Sequence, residues 1–473
     1  MIYRITGLSA MLRVIDVPSI SEKGCAITIR ADNAFRFLWA EKLYQGYSMS
    51  EQKEHPAAPA KLRRARFGEC LEEPYRIFFP LGLFWGLVGV LYWLPKAFTP
   101  FLVSVPTYVH VFVQIYGFLW CFVVGFLGTA VPRFTGTPLL KNWETLIQAV
   151  LSLLCMVALV LKPSWAHVIF FLASFLFTVG ISARFFRRKN IVPASMACIP
   201  FGLLSAVVGG FCMSMVYWGP TLGATKFYLL GKGLLMQSMM LLLLMGVGGF
   251  MMRSILHVSA PPGPGNSVES TKPKPRDWVV FSCLGAAVLG SYIFEALVAS
   301  NYENSSRDLL KSYLIIKAAG TLRVTIVAWF CLSHIQIHRW PRSGKLSAVW
   351  LWLGLWLMVI GLFGESAFSE SYRLAFRHLT LIGGFAFSIF CISTRVILSH
   401  ARRPALLSRA SIPFTVAMVL MIIGLATRFS VAFVPQNAMR HYAYAALMWG
   451  AGALVWAFWV LPLSWAVVDE DSA

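Results

Sequence analysis

Residues 107–131 read TYVHVFVQIYGFLWCFVVGFLGTAV, a stretch of 25 residues without Asp, Glu, Lys or Arg. An α-helix rises about 1.5 Å per residue, so this stretch is long enough to cross the roughly 30 Å hydrocarbon core of a bilayer. Similar apolar segments recur along the chain, separated by short polar loops. A barrel would instead show shorter, alternating segments, and open sheets cannot satisfy their backbone groups in lipid. The sequence therefore predicts an all-α, polytopic membrane helical bundle.

The composition excludes a soluble enzyme. Of the 473 residues, 58% are hydrophobic and only 13% are charged, and the mean hydropathy is +0.68. Soluble domains carry about 25% charged residues. We count about twelve transmembrane helices after residue 76. They lie near residues 77–94, 107–131, 143–161, 165–186, 194–216, 227–252, 278–298, 312–334, 347–364, 375–399, 412–434 and 442–466.

The loops between these spans predict the orientation of the chain. Loops on the side of the N-terminus carry sixteen Lys and Arg residues, whereas the opposite loops carry seven. Because positively charged loops remain in the cytoplasm, we expect both termini to be cytoplasmic, as an even number of spans requires. The net charge of +21 then reflects topology. We expect the lipid bilayer, and no nucleic acid, as the partner of this charge.

Two segments fall outside the spans. Residues 1–75 contain no long apolar stretch and predict a soluble, loosely ordered tail. Met49 opens the polar sequence MSEQKEH, which suggests that the natural start lies there rather than at residue 1. The Pro-rich residues 253–277 predict a flexible cytoplasmic linker within a membrane domain of residues 76–473. No convincing repeat is visible between the halves that it separates.

The histidines can be sorted by depth. His110 and His378 each lie four or five residues inside one side of the membrane, on spans 2 and 10. Two imidazoles at one level on different helices can bind a haem iron or share a copper, whereas an interfacial hydrogen-bonding role is the alternative. His400 lies 22 residues after His378, roughly 33 Å along one helix, so these two cannot share a metal. Position alone favours interfacial roles for His167, His400 and His441.

We single out five of the charged side chains that fall inside the predicted spans, where an unpaired charge costs several kcal/mol, so each is expected to face the bundle interior. One interpretation is that basic members such as Lys317 and Arg428 neutralise haem propionates above the two histidines. Glu295 would then relay protons or pair with Lys317. Structural ion pairs or snorkelling are the alternative. The five residues are Lys232, Glu295, Lys317, Arg323 and Arg428.

Several stretches resemble the NnrS family of twelve-span membrane proteins in identity, spacing and order. Span 1 opens with RIFFPLG at 76–82. Span 2 runs from His110 through YGF at 116–118 and GFLGTAVP at 125–132 to TG at 135–136. Span 10 runs from HLT at 378–380 through Gly383 to TR at 394–395, followed by His400 and RP at 403–404.

This resemblance implies a multi-pass protein of the bacterial inner membrane that binds haem and copper and is linked to nitric oxide stress and denitrification. It implies His110 and His378 as ligands of a haem iron, with Arg428 and Lys317 as further cofactor-binding residues. His400 carries over as a candidate metal ligand at the inner face. Nitric oxide and an unidentified electron donor are the implied partners. Whether the gas is sensed, sequestered or turned over stays open.

One departure from the family bears on the cofactor. The family pattern in span 2 is similar to His-x-His-Glu, whereas Phe112 and Val113 stand at the second His and the Glu. If the lost residues are copper ligands, this member keeps haem and lacks copper, or binds neither. Two other functions are considered. One is a transporter for a metal or metal complex along Glu295, Lys317 and Arg323, although no inverted repeat is visible. The other is a non-catalytic assembly partner.

Overall fold

A computed structural model describes residues 62–98, 107–220, 223–256, 273–302, 309–343, 345–403, 406 and 411–468 of the protein. In these residues, twelve helices are long and apolar enough to cross a membrane, which confirms the predicted all-α polytopic bundle. Numbered in chain order, the spans are Tyr75–Pro95, Thr107–Thr135, Asn142–Leu161, Pro163–Phe186, Ala194–Trp218, Ala224–Gly249, Pro275–Ser300, Tyr313–Ile335, Leu346–Ala367, Glu370–His400, Ile412–Ser430 and Pro435–Ser464.

Several spans combine more than one kind of helix. The α-helices are Phe67–Glu72, Tyr75–Leu91, Trp93–Phe98, Thr107–Phe112, Trp120–Thr135, Asn142–Leu161, Pro163–Phe186, Ile199–Trp218, Ala224–Gly233, Met239–Leu256, Pro275–Tyr302, Leu309–Trp329, Leu346–Ala367, Glu370–His378, Phe387–His400, Ile412–Ser430 and Ala438–Ser464. The π-helices are Val113–Leu119, Leu234–Ser238, Phe330–Ile335 and Leu379–Ala386. Short 3₁₀ helices, Ala194–Cys198 and Pro435–Asn437, open spans 5 and 12.

The two ends of the described chain meet. Strand β1 (Leu62–Arg64) pairs antiparallel with strand β2 (Ala466–Val468), with Arg63 opposite Val467. The guanidinium of Arg63 donates two hydrogen bonds to Glu69, which lower the pKa of Glu69 to about 2. We call this side of the bundle the terminal end and the opposite side the distal end. Which of them faces the cytoplasm stays a prediction.

Parts of the two predicted segments outside the spans are folded. The last residues of the predicted tail form β1 and the helix Phe67–Glu72. Residues 1–61, with Met49, lie outside the described residues, as do residues 257–272 of the Pro-rich linker. The helices on either side of that linker, Met239–Leu256 and Pro275–Tyr302, belong to spans 6 and 7.

Spans 2, 6 and 10 form the centre of the bundle. In these three, 83%, 78% and 83% of the most apolar window is buried, against 33–67% in the other nine. Together they enclose a small apolar cavity of about 60 Å³. Each of the three contains a π-helix in its distal half. Such segments widen a helix and are frequent at functional sites. We therefore expect a functional site near the π-helices of these three spans.

The packing around this centre repeats every four spans. Span 2 packs against spans 1, 3 and 4, span 6 packs against spans 5, 7 and 8, and span 10 packs against spans 9, 11 and 12. Contacts between spans 4 and 5, 8 and 9, and 12 and 1 close the ring. The described spans therefore form three groups of four, each with its second span at the centre. A threefold grouping of this kind does not produce a repeat between two halves of the chain.

Glycines let neighbouring spans approach the π-helices closely. A Cβ at Gly117 would lie 2.5 Å from the Cβ of Trp85 on span 1. A Cβ at Gly384 would lie 2.7 Å from the Cβ of Met358 on span 9. Small residues of this kind allow tight van der Waals packing, which drives helix association in lipid. Spans 1 and 9 are thus held close to the helices that carry the candidate site.

Candidate functional site

A cavity of about 240 Å³ lies in the distal half of the bundle, between spans 1, 2, 6, 10, 11 and 12. Most of its wall is apolar, with side chains such as Phe118 and Trp449. His110, His378 and Arg428 are among the few polar groups in this wall. An apolar cavity with a few converging polar groups is the usual form of a ligand site. We call it the histidine cavity.

His110 lies on span 2, three residues before a π-helix. Its Nδ1 is 2.6 Å from the carbonyl oxygen of Gly89 on span 1. A Cβ at Gly89 would lie 2.7 Å from the amide nitrogen of Gln114, so glycine lets span 1 come this close. The same amide group donates to the carbonyl of Gly86, and the ring of Trp93 packs edge-on against His110. Span 1 therefore fixes the orientation of the imidazole.

His378 is the last α-helical residue of span 10 before the π-helix Leu379–Ala386. Its Nδ1 is 2.7 Å from the carbonyl oxygen of Leu374, one turn earlier. The ring is therefore oriented by its own helix rather than by a neighbour. Both histidines thus precede π-helices in the two spans that the sequence predicts to carry them.

The two hydrogen bonds decide the chemistry of both rings. A carbonyl oxygen can only accept, so each Nδ1 must carry the hydrogen and each neutral Nε2 keeps a lone pair. Within the described residues, neither Nε2 makes a hydrogen bond. Histidines that bind metals almost always donate their other ring N–H to a carbonyl or carboxylate in this way. The cavity therefore presents two oriented imidazoles of the form that a haem iron takes as axial ligands.

Of the two cations predicted to bind the cofactor, one is at the cavity. Arg428 of span 11 lines it, and its guanidinium carbon lies 4.7 Å from the ring centroid of Tyr442, which also lines it. Lys317 is not among the lining residues. Its ammonium group donates to the carbonyl of Phe368 at 2.6 Å. The structure thus groups Arg428 with the two histidines and places Lys317 elsewhere at the distal end.

His400 lies at the terminal end of span 10. Its Nδ1 is 2.9 Å from the carbonyl oxygen of Val396, and its ring packs against Tyr75. Its Nε2 lies 3.7 Å from a carboxylate oxygen of Glu73, which forms a salt bridge with Arg133. The structure therefore separates His400 from the histidine cavity, as its distance along the helix predicts.

At the two positions where the family pattern has His and Glu, this chain has apolar side chains that pack inside the bundle. Phe112 and Val113 are buried, and the ring of Phe112 meets the ring of His167 edge-on at 4.7 Å. His167 is itself fully buried and shares a 2.7 Å hydrogen bond with the hydroxyl of Tyr116, so the interfacial role expected for it is wrong. Among the residues that the structure describes, no three His, Cys, Asp or Glu side chains gather around a possible metal ion. The expectation that copper is lacking stays a prediction.

Glu295 belongs to an ion-pair network. Its carboxylate accepts hydrogen bonds from Arg323 of span 8 and from Arg373 of span 10, the latter at 2.6 Å. Glu295 therefore pairs with arginines and not with Lys317. A transport path through Glu295, Lys317 and Arg323 would need all three side chains to line one cavity. Glu295 and Arg323 line the same cavity, but Lys317 does not.

A second carboxylate is buried nearby. Glu365 of span 9 accepts hydrogen bonds from Gln237 of span 6 and, at 3.0 Å, from Nε of Arg377. The hydroxyl of Tyr292 donates to Gln237 at 3.2 Å. This network borders a cavity of about 270 Å³ between spans 6, 7, 8 and 10, which we call the charged cavity.

Sequence reasoning missed part of this network. Glu365 lies one residue beyond the predicted end of span 9, and Arg373 lies just before the predicted start of span 10. Arg377, however, falls inside the predicted span, next to His378. An arginine within a span is a signal of function or pairing and could have been used.

The fold and the site define a multi-pass membrane protein with two histidines in the wall of one apolar cavity. Residues 69–466 match the family described as NnrS protein. The match covers most of the chain, so the chain belongs to the NnrS family, as the stretches in spans 1, 2 and 10 predict. No curated protein matches the chain.

Proposed function

We propose that this NnrS-type protein binds haem in the histidine cavity, where His110 and His378 would hold the iron, and acts in the response to nitric oxide in the inner membrane of a bacterium. The observation that supports the proposal most directly is the pair of imidazoles at one apolar cavity, each with Nδ1 bonded to a carbonyl. The two Nε2 lone pairs match the preference of haem iron.

The cavity wall fits the rest of the group. A porphyrin ring is flat and apolar, and aromatic side chains such as Phe118 and Trp449 provide the matching surface. Arg428 supplies a cation within the same wall, suited to a carboxylate of the cofactor. When bound, haem would supply an iron that binds small gases and exchanges electrons. The chain's own residues orient the ligands, exclude water and balance charge.

The setting suits nitric oxide as the ligand. The gas is apolar and enters lipid readily, and the histidine cavity lies within the membrane-spanning part of the bundle. A ligand of this kind needs no polar path from water. The distribution of positive charge in the loops would place the distal end, with this cavity, on the periplasmic side.

Absorption spectroscopy tests the haem assignment. The purified protein, expressed with sufficient haem, should show a Soret band, and His110→Ala should lose most of it because one axial ligand is gone. His441→Ala is the matched control, since His441 lies at the same end but is not part of the cavity wall. A wild-type protein without a Soret band, or an unchanged band in His110→Ala, would refute the proposal.

Elemental analysis of the same preparation tests the copper prediction. Because Phe112 and Val113 fill the family ligand positions with packed apolar side chains, we expect iron without stoichiometric copper. One copper per chain would show that the ligands lie elsewhere and that the interpretation of Phe112 and Val113 is wrong.

A further inference from the structure

The charged cavity lies directly beside the histidine cavity. Met236 of span 6 and Leu374 of span 10 line both, so the two cavities share a wall. On span 10, the neighbours Arg377 and His378 line different cavities, Arg377 the charged one and His378 the apolar one. The apolar and the charged environments therefore adjoin at Met236 and Leu374.

Positive charge exceeds negative charge around the charged cavity. Four cationic side chains line it, against two carboxylates. Because the cavity is partly enclosed within the bundle, screening by water and salt is weak and the excess charge acts strongly. The cations are Lys232, Arg323, Arg373 and Arg377, and the carboxylates are Glu295 and Glu370.

Two of these cations bind neither of the two carboxylates that line the cavity, and both have unused donors. Glu295 and Glu370 accept from Arg373, and Glu295 also accepts from Arg323. Arg377 uses only Nε, toward Glu365, and within the described part of the chain its two Nη atoms make no hydrogen bond.

Lys232 is the second cation with unused donors. In the same part of the chain, it forms no ion pair, and its ammonium nitrogen lies 5.5 Å from the ring centroid of Tyr228. A partly buried cation without a counter-ion is costly in a membrane protein. An anionic group that enters the cavity would offset this cost at Lys232 and could also accept hydrogen bonds from the Nη atoms of Arg377.

We propose that the charged cavity binds a carboxylate group through Lys232 and the Nη atoms of Arg377. A guanidinium and an ammonium that line one cavity can each donate to the oxygens of a carboxylate. The group has two possible sources: a propionate of the haem proposed for the neighbouring cavity, or a free small carboxylate. The first source rests on the proposed function, and the second does not.

The cofactor arm of the test compares haem with its dimethyl ester, which lacks the carboxylates. Apo-protein in detergent is titrated with each, and the Soret band reports binding. If propionates fill the charged cavity, Lys232→Gln should bind haem about tenfold more weakly than wild type does. The variant and wild type should bind the dimethyl ester with equal affinity. Lys232→Arg should restore most of the difference. Lys317→Gln is the matched control, because it removes the same charge at the same end outside the charged cavity.

The free-anion arm measures thermal unfolding of the apo-protein in sodium acetate and in sodium chloride of equal concentration. If the source is a free carboxylate, acetate should raise the unfolding temperature of wild type and Lys317→Gln but not of Lys232→Gln. A response in either arm supports the proposed site and identifies the source of the carboxylate. Equal behaviour of Lys232→Gln and Lys317→Gln in both arms would overturn it.

Arg377 provides a second variant. Arg377→Gln also disturbs Glu365, so its monodispersity by gel filtration is checked before titration, and Arg377→Lys keeps a positive charge near the carboxylate. The two proposals fail in different ways. A wild type that binds no haem removes the proposed function and leaves the acetate arm intact, whereas haem binding that ignores Lys232 and Arg377 removes only the propionate source.

Discussion

Span 10 carries one histidine in its distal half and another at its terminal end, and the two begin with the same local chemistry. Nδ1 of His378 is 2.7 Å from the carbonyl oxygen of Leu374, and Nδ1 of His400 is 2.9 Å from that of Val396. In both cases the acceptor lies four residues earlier, on the same helix. The tautomer is therefore fixed identically at both ends.

The two histidines differ in what faces Nε2. His378 lines an apolar cavity shared with His110 from span 2 and Arg428 from span 11. His400 instead faces Glu73, 3.7 Å away, and the ring of Tyr75. A free lone pair at an apolar cavity suits a metal, whereas the ring of His400 packs between a tyrosine and a carboxylate. The orientation of each ring is thus set by its own helix, and its chemistry by the spans packed against it.

The largest expected effect comes from exchanging His378 for alanine, with the same exchange at His400 as the comparison. His378→Ala removes a proposed axial ligand and should weaken haem binding by about a hundredfold or more, beyond the 10–100-fold typical of second-shell changes. His400→Ala should leave the Soret band unchanged, because His400 lies outside the histidine cavity. Absorption spectra of equal amounts of purified protein measure both.

The reverse result would invert the comparison. If His400→Ala lost the band and His378→Ala kept it, the cofactor would lie at the terminal end. If both lost it while remaining folded by gel filtration, the two ends would have to be coupled through span 10.

A second prediction concerns the contact that holds span 9 against the distal half of span 10. A Cβ at Gly361 would lie 2.7 Å from the backbone nitrogen of Thr380 and 2.9 Å from the carbonyl oxygen of Phe376. Backbone atoms cannot give way cheaply, so Gly361→Ala should lower the free energy of unfolding by about 1–3 kcal/mol. Thermal unfolding in detergent measures the loss, and haem affinity should fall with it because His378 lies between these contacts.

The control for this substitution is Gly290→Ala. Gly290 lies on span 7, where an added Cβ would meet nothing within 4 Å. Alanine is the better helix former, so this variant should be neutral or more stable by up to about 1 kcal/mol. Equal destabilisation by both substitutions would show that glycine is needed in these spans for a reason other than the approach of span 9 to span 10.

The sequence predicts the spans and the histidine pair well because both depend on local pattern. Apolar length alone indicates twelve crossings, and depth within spans 2 and 10 places His110 and His378 at one level. The structure brings these two histidines to one cavity together with Arg428. Lys317 has the depth and the charge expected of a cofactor-binding residue, as Arg428 has, but it does not line that cavity. Depth cannot show which way a side chain points around a helix.

The remaining features depend on which spans become neighbours. The spans are grouped in fours, and a comparison of the two halves of the sequence cannot detect this grouping. The charged cavity needs side chains from spans 6, 7, 8 and 10 to meet, and no spacing within one span encodes this. The π-helices that follow His110 and His378 pack closely against spans 1 and 9 at Gly117 and Gly384. Such contacts become visible only after the chain is folded.

The smallest expected effect lies at the terminal end and tests whether that end is only structural. Glu73 forms a salt bridge with Arg133 whose side chains are 13% and 39% exposed, and exposed pairs contribute at most about 1 kcal/mol. Glu73→Gln should therefore lower the free energy of unfolding by no more than that, measured by thermal unfolding. The Soret band should not move, because His400 beside it is no ligand of the proposed haem. A shifted or lost band in Glu73→Gln would mean that the carboxylate tunes a metal-bound imidazole, and the contrast between the two ends of span 10 would no longer hold.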